Sequence, residues 1–143
     1  MALAHLQNDV ETITCYCNAA VTAGDFVKVV ANDDSVTSSG VSSFAGNEIK
    51  IEAADANTDY AYVIGIAGED GSSTDLIKVH TEGLFIIKTS EAITAGVSVQ
   101  VAEQNSEEDM VEALDSGEAD HKVGKALTSA SATDKYIVML LRV

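Results

Sequence analysis

One ten-residue pattern occurs twice in this chain. Ala20-Val21-Thr22-Ala23-Gly24-Asp25-Phe26-Val27-Lys28-Val29 returns as Ala92-Ile93-Thr94-Ala95-Gly96-Val97-Ser98-Val99-Gln100-Val101. Each copy is a Thr-Ala-Gly turn followed by an alternating apolar run. Glycine at the end of such a turn supplies the backbone freedom a tight reversal needs. Apolar residues two apart then fall on one face of a strand. The second copy follows Gly83-Leu84-Phe85-Ile86-Ile87-Lys88. That run is short and rich in β-branched and aromatic residues, so it reads as a buried strand. A chain that builds strand, turn and strand twice is held to a sheet fold.

A second match runs in the same order. Gly65-Ile66-Ala67 aligns with Gly124-Lys125-Ala126, and Ser72-Ser73-Thr74-Asp75 aligns with Ser131-Ala132-Thr133-Asp134. Each is followed by an apolar run. Two matches in one order predict an internal pseudo-repeat. Further strands are expected over 10–19, 26–31, 48–52, 60–67, 74–81, 97–101, 110–114, 123–127 and 135–143. In 74–81, Ile77 and Val79 fall on one side and Leu76, Lys78 and His80 on the other. Residues 32–35 and 36–46 read as turn and loop, as do 68–73, 103–109 and 115–122. Residues 53–59 hold at most one helical turn. With no amphipathic helix of any length, the expected fold is all-β: a small β-barrel or β-sandwich with an internal pseudo-repeat and an N-terminal arm. Residues 1–18 form the arm and first strand. Residues 19–143 form one β domain, with halves at about 19–81 and 91–143.

Length and composition narrow the function. A chain of 143 residues is one domain by length. Aromatics are only 5% and tryptophan is absent, so the core rests on small aliphatics. Such a core buries less area per residue, which leaves room for stabilisation by association. The net charge of −15, from 23 acidic and 8 basic residues, argues against nucleic acid and against an anionic membrane surface. It suits a solvated exterior, a basic partner, or adaptation to high salt. No run approaches the ~18 apolar residues of a membrane span. The first residues lack the basic region of a signal peptide, so synthesis in the cytoplasm is expected.

Catalytic chemistry finds no foothold. Cys15 and Cys17 would share one strand face, where a bridge across a single residue is strained. No second cysteine pair completes a metal site, so both are expected as small buried hydrophobes. His5, His80 and His121 stand in no ligand spacing, and no nucleophile elbow, phosphate loop or zinc-protease motif occurs. The chain is therefore read as a non-enzyme without catalytic, metal or cofactor residues. The acidic stretches 32–34, 69–70 and 107–109 lack the spaced pattern of a calcium loop and read as solvated turns. The competing reading is a β-sandwich module that binds divalent cations or carbohydrate. Tyr16, Tyr60, Tyr62 and Tyr136 fall in expected strands, which counts against sugar stacking.

The order of motifs carries a resemblance. Gly65-Ile66-Ala67, Glu82-Gly83-Leu84-Phe85, Ala92-Ile93-Thr94-Ala95-Gly96, the run 97–101, Val123-Gly124-Lys125-Ala126 and the terminal apolar strand follow one another. This resembles the small capsid decoration, or cement, proteins of tailed bacteriophages and related archaeal viruses. It covers residues 60–143 and, more faintly, 18–31. It implies a virion structural protein on the outside of an icosahedral capsid, stabilising it, with the major capsid protein as partner and a homotrimer as assembly. The shared glycines and valines form the fold, so no contact residue is carried over. The arm is where the contact with capsid or neighbour is expected, at Leu3, His5, Leu6, Val10 and Ile13.

Overall fold

The computed structural model describes residues 4–5, 11–30, 49–54, 57–103 and 109–143. Ten strands are found among them: β1 (Ala4–His5), β2 (Glu11–Cys17), β3 (Phe26–Val29), β4 (Lys50–Ala53), β5 (Val63–Ala67), β6 (Leu76–Thr89), β7 (Ser98–Val101), β8 (Met110–Ala113), β9 (Gly124–Ala126) and β10 (Tyr136–Arg142). Two short 3-10 helices join them, η1 (Asn57–Tyr62) and η2 (Ala119–His121).

The strands run in the order β10-β9-β7-β8-β6-β2-β4-β3-β5, and both ends return to β6 through β10–β6 and β5–β6 pairs. The result is two closed rings that share one long strand. Barrel one is β6-β2-β4-β3-β5. Barrel two is β6-β8-β7-β9-β10. Closure leaves neither ring with a free sheet edge of its own. Each ring has one parallel contact, β2 with β4 and β6 with β8, and is otherwise antiparallel. The all-β expectation holds, in the form of barrels.

The repeat extends to single hydrogen bonds. Gly24 N–H donates to Ala67 O and Gly96 N–H to Ala126 O, at 2.8 and 2.7 Å. Val21 bridges Gly71 as Ile93 bridges Ala130. Gly24 and Gly96 have φ of 97° and 93°, a left-handed conformation that favours glycine. The two Thr-Ala-Gly turns are thus one device built twice.

Strand β6 departs from expectation. Residues 74–81 and 83–88 read as two strands divided at Glu82-Gly83, yet Leu76–Thr89 is continuous. Its odd-numbered residues Ile77, Val79, Phe85, Ile87 and Thr89 are all buried, so one alternation passes through the join. β6 pairs with β5 as far as His80 and with β2 as far as Glu82; from Glu82 on, it pairs with β10. Gly83, with φ of 141°, stands where the strand passes from one barrel to the other. A glycine there accepts a backbone angle that side chains resist.

Two cores follow from the alternation. Cys15, Cys17, Val21, Val27, Ile51, Ala67, Ile77 and Val79 fill barrel one. The other cluster includes Ile87, Ile93, Val99, Val111, Ala126, Ile137 and Met139 of barrel two, together with Phe26, Tyr60, Val63 and Ile66. Phe26 and Ile66 flank Val27 and Ala67 in sequence, so they point out of barrel one and into the seam between barrels. Phe26 is wholly buried there; a side chain of that size gains about 2 kcal/mol from burial. Tyr60 Oη donates to Ala102 O and ties η1 to the end of β7. This explains a second departure, since residues 60–62 were expected to open a strand. Tyr60 serves the seam instead, Tyr62 stays exposed, and β5 starts at Val63.

Candidate functional site

The N-terminal segment reaches the seam. Ala4 pairs with Ile86 and His5 with Phe85. On the same edge of β6, β2 lies before β1 and β8 after it. The segment therefore caps the one stretch of β6 edge between the rings. Leu3, Leu6 and Val10 lie outside the described residues. Ile13 stands in β2 opposite Val79, half-buried against the first core. Residues 13–17 thus form a stave of barrel one, paired with β6 on one side and β4 on the other.

The thiols are structural. Cys15 and Cys17 are free and buried. Burial, aided by the neighbouring Cys17, pushes the Cys15 thiol up to about 11. Burial, then Asp75 and Glu69, also raises Cys17. Neither is a nucleophile near neutral pH. The His80 ring lies 5.3 Å from that of Phe85 and packs against it.

A polar cluster gathers at the end of barrel two. Gln100, in β7, is fully buried. Its Nε2 donates to Glu112 Oε1 at 2.9 Å and reaches Glu103 Oε1 and Asp115 Oδ2 at 3.4 Å, while Asp115 N–H donates back to Gln100 Oε1 at 3.3 Å. His121 Nδ1 lies 3.0 Å from Glu118 Oε2, and its ring meets Tyr60 edge-on at 6.0 Å. Burial, followed by Glu118, Glu112 and Asp115, raises the Glu103 carboxyl. Burial also raises Glu112, against the Gln100 hydrogen bond, which lowers it. Glu103, Glu118 and His121 bring one ligand atom each within 4.8 Å of one another, as do Glu103, Glu112 and Asp115. Carboxylate and imidazole together form a donor set suited to a divalent cation.

The acidic stretches 32–34, 69–70 and 107–109 do not form this cluster. Residues 32–34, 107 and 108 lie outside the described residues. Glu69 and Asp70 are spent on the backbone, accepting from Lys78 N–H and Ala23 N–H. The clustered residues are spread from 100 to 121, and no local motif joins them. The signal that could have found them is the repeat: Gln100 stands where the first copy has Lys28.

Two closed barrels with inert thiols and a titratable polar cluster define a small all-β structural module. Residues 6–143 match the phage cement protein family, and the chain belongs to that family. It is a virion structural protein, of a family of structural components. The crystal structure of the head fiber gp8.5 N base of bacteriophage phi29 is similar in fold, with a TM-score of 0.58 and 14% identity, covering 92% of this chain and 93% of that one. No curated protein matches the chain. Among the described residues no helix is long and apolar enough to cross a membrane.

Proposed function

We propose that the protein binds the outside of an assembled icosahedral capsid as a homotrimer and stabilises the shell by bridging major capsid subunits, after synthesis in the host cytoplasm. Family membership over residues 6–143 carries this reading. The likeness to a head fiber base agrees with it at the level of fold. The physics is avidity: each copy makes a modest contact, and a symmetric cluster multiplies it.

The contact is assigned to the N-terminal segment, with Leu3, His5, Leu6, Val10 and Ile13 as its residues. Supporting this, among the described residues β1 holds β6 through two residue pairs. A net hydrogen bond is worth about 1 kcal/mol, so the segment can be exchanged for a capsid contact at small cost. Co-sedimentation with empty expanded capsids is the test. Full-length protein should pellet with capsids and raise their melting temperature. A chain lacking residues 2–9 should fold, stay in the supernatant and leave capsid melting unchanged. Undiminished decoration by the truncated chain would remove the assignment. Failure of the full-length protein to decorate any expanded capsid would remove the capsid-binding reading itself.

A further inference from the structure

The two barrels present different surfaces at equivalent positions. In barrel one, β2 and the first half of β6 pair Thr12 with His80 and Thr14 with Lys78. In barrel two, the second half of β6 and β10 pair Leu84 with Leu140 and Ile86 with Val138. The glycines fix the correspondence, since a Cβ at Gly65 would strike the His80 carbonyl oxygen and one at Gly124 that of Leu140. The parallel contacts agree: Tyr16 lies beside Lys50 as Lys88 lies beside Met110. All eight side chains alternate with core residues along their strands and so point out of their barrels.

Barrel closure does not require the change. Barrel one closes with threonine, lysine and histidine on this face, and its Thr12, Thr14 and Lys78 are exposed. Barrel two carries leucine, isoleucine and valine there, half-buried. Two more apolar side chains widen the patch. Leu127 N–H donates to Val138 O as Gly68 N–H donates to Lys78 O, so Leu127 stands where barrel one has a glycine. Tyr136 stands opposite Lys88. Leu127 is 45% exposed and Tyr136 57%. A contiguous apolar surface that the sister barrel replaces with polar residues marks a contact with another molecule.

Charge selects that molecule. The chain has 23 acidic and 8 basic residues, yet half of the basic ones border this patch. Lys125 lies opposite Leu140, Lys88 opposite Tyr136, Arg142 ends β10, and Lys135 precedes it. Lys88 and Arg142 face Asp134 and Glu82. Lys125 and Lys135 have no ion-pair partner among the described residues. Two copies of so acidic a chain repel each other least where their cations gather. A second copy also offers the carboxylates that Lys125 and Lys135 lack.

We propose that the outer face of β6 and β10, centred on Leu84, Ile86, Val138 and Leu140, docks a second copy of this chain. Apolar contact forms its centre, and Lys125 and Lys135 meet the neighbour's carboxylates at its rim. This face gives the homotrimer proposed above its contact surface, and its assignment rests on that reading. The N-terminal segment pairs along the other edge of β6, so the two contacts use different edges.

Light scattering of the full chain over a range of concentrations tests the face. The wild type should be an oligomer. Ile86→Thr with Val138→Lys writes barrel one's Thr14 and Lys78 into barrel two, a pair that a closed barrel already accommodates. This double variant should melt cooperatively and scatter as one chain of 14.9 kDa. Loss of two aliphatic contacts should raise its dissociation constant about hundredfold. Leu127→Ser with Tyr136→Ser, at side chains already exposed, should act in the same direction, and it serves if the first variant fails to fold. Leu76→Ser, an exposed apolar control on barrel one, should leave the oligomer intact. Lys125→Glu should weaken association at low salt and less in molar NaCl, where the added repulsion is screened. An oligomer that survives both double variants overturns the face and leaves the homo-oligomer standing. A monomeric wild type overturns both. Double variants that stay oligomeric but no longer co-sediment with expanded capsids give the face to the capsid and overturn the second copy as its occupant. Lys125→Glu without effect at low salt overturns that choice as well.

Discussion

Lys28 and Gln100 are the same position of one repeated unit, seen once with a charge and once without. Each stands opposite a glutamate, Glu52 or Glu112, on the antiparallel neighbour. Only Lys28 has a carboxylate of the adjoining 3-10 helix within salt-bridge distance, Asp59 at 2.6 Å. Losing the ammonium leaves Asp59 buried beside apolar residues. Breaking a fully buried pair costs about 3–5 kcal/mol, and the one-fifth exposure of Lys28 reduces this, so Lys28→Met is expected to lose about 2 kcal/mol. Urea unfolding checks it. Adding Asp59→Asn should restore part of the loss, and a double variant no more stable than the single one would refute the pairing argument.

Gly65 and Gly124 are also equivalents, and both mark close strand approach. A Cβ at Gly65 would collide with the His80 carbonyl oxygen, and one at Gly124 with that of Leu140. Both obstacles are backbone and cannot turn aside. Gly65→Ala and Gly124→Ala should each cost about 3 kcal/mol or more, at the upper end for overpacking. Gly96 is held by its φ of +93° and has open space around it. Gly96→Ala should cost only the left-handed strain, about 1–2 kcal/mol. Thermal melts of the three variants test the order. Equal losses would mean that backbone angle, and not close approach, governs all three.

The fold was legible wherever the chain repeats itself. The Thr-Ala-Gly turns, the Gly-Xaa-Ala strands and the alternating runs each report a local backbone requirement, and local requirements are written in adjacent residues. Ring closure was not legible, because it depends on pairs such as Ile66 with His80 and Leu141 with Gly83, whose choice is decided by packing. The same holds for Tyr60, which resembles a strand residue until the seam claims its hydroxyl. The Gln100 cluster drew on five segments and left no motif. Its trace in the sequence is a single substitution between repeats, lysine to glutamine, which gains meaning only once η1 and η2 are seen beside it.

Cys15 and Cys17 should resist thiol reagents in the native state. Burial raises both, Cys15 to about 11, so the thiolate is scarce near neutral pH and the sulfurs are also out of reach. Labelling with a coloured disulfide reagent should find no reactive thiol in native protein and two in denaturant. Fast native labelling would mean that barrel one opens readily. Cys15→Ala should cost about 1 kcal/mol, as for a small buried group lost from a core.

The balance of 23 acidic to 8 basic residues predicts a response to salt. Like charges spread over two small barrels repel across distances near the Debye length, which falls from about 30 Å at 0.01 M to 3 Å at 1 M. Folding concentrates these charges, so repulsion burdens the native state more than the extended chain. Raising NaCl from low to molar levels should therefore raise the melting temperature steadily. The Lys28–Asp59 pair is largely buried and should be little affected, so Lys28→Met should show a parallel salt curve displaced to lower temperature. Melting that stays flat or falls with salt in the wild type would remove the reading of this acidity as an adaptation to brine.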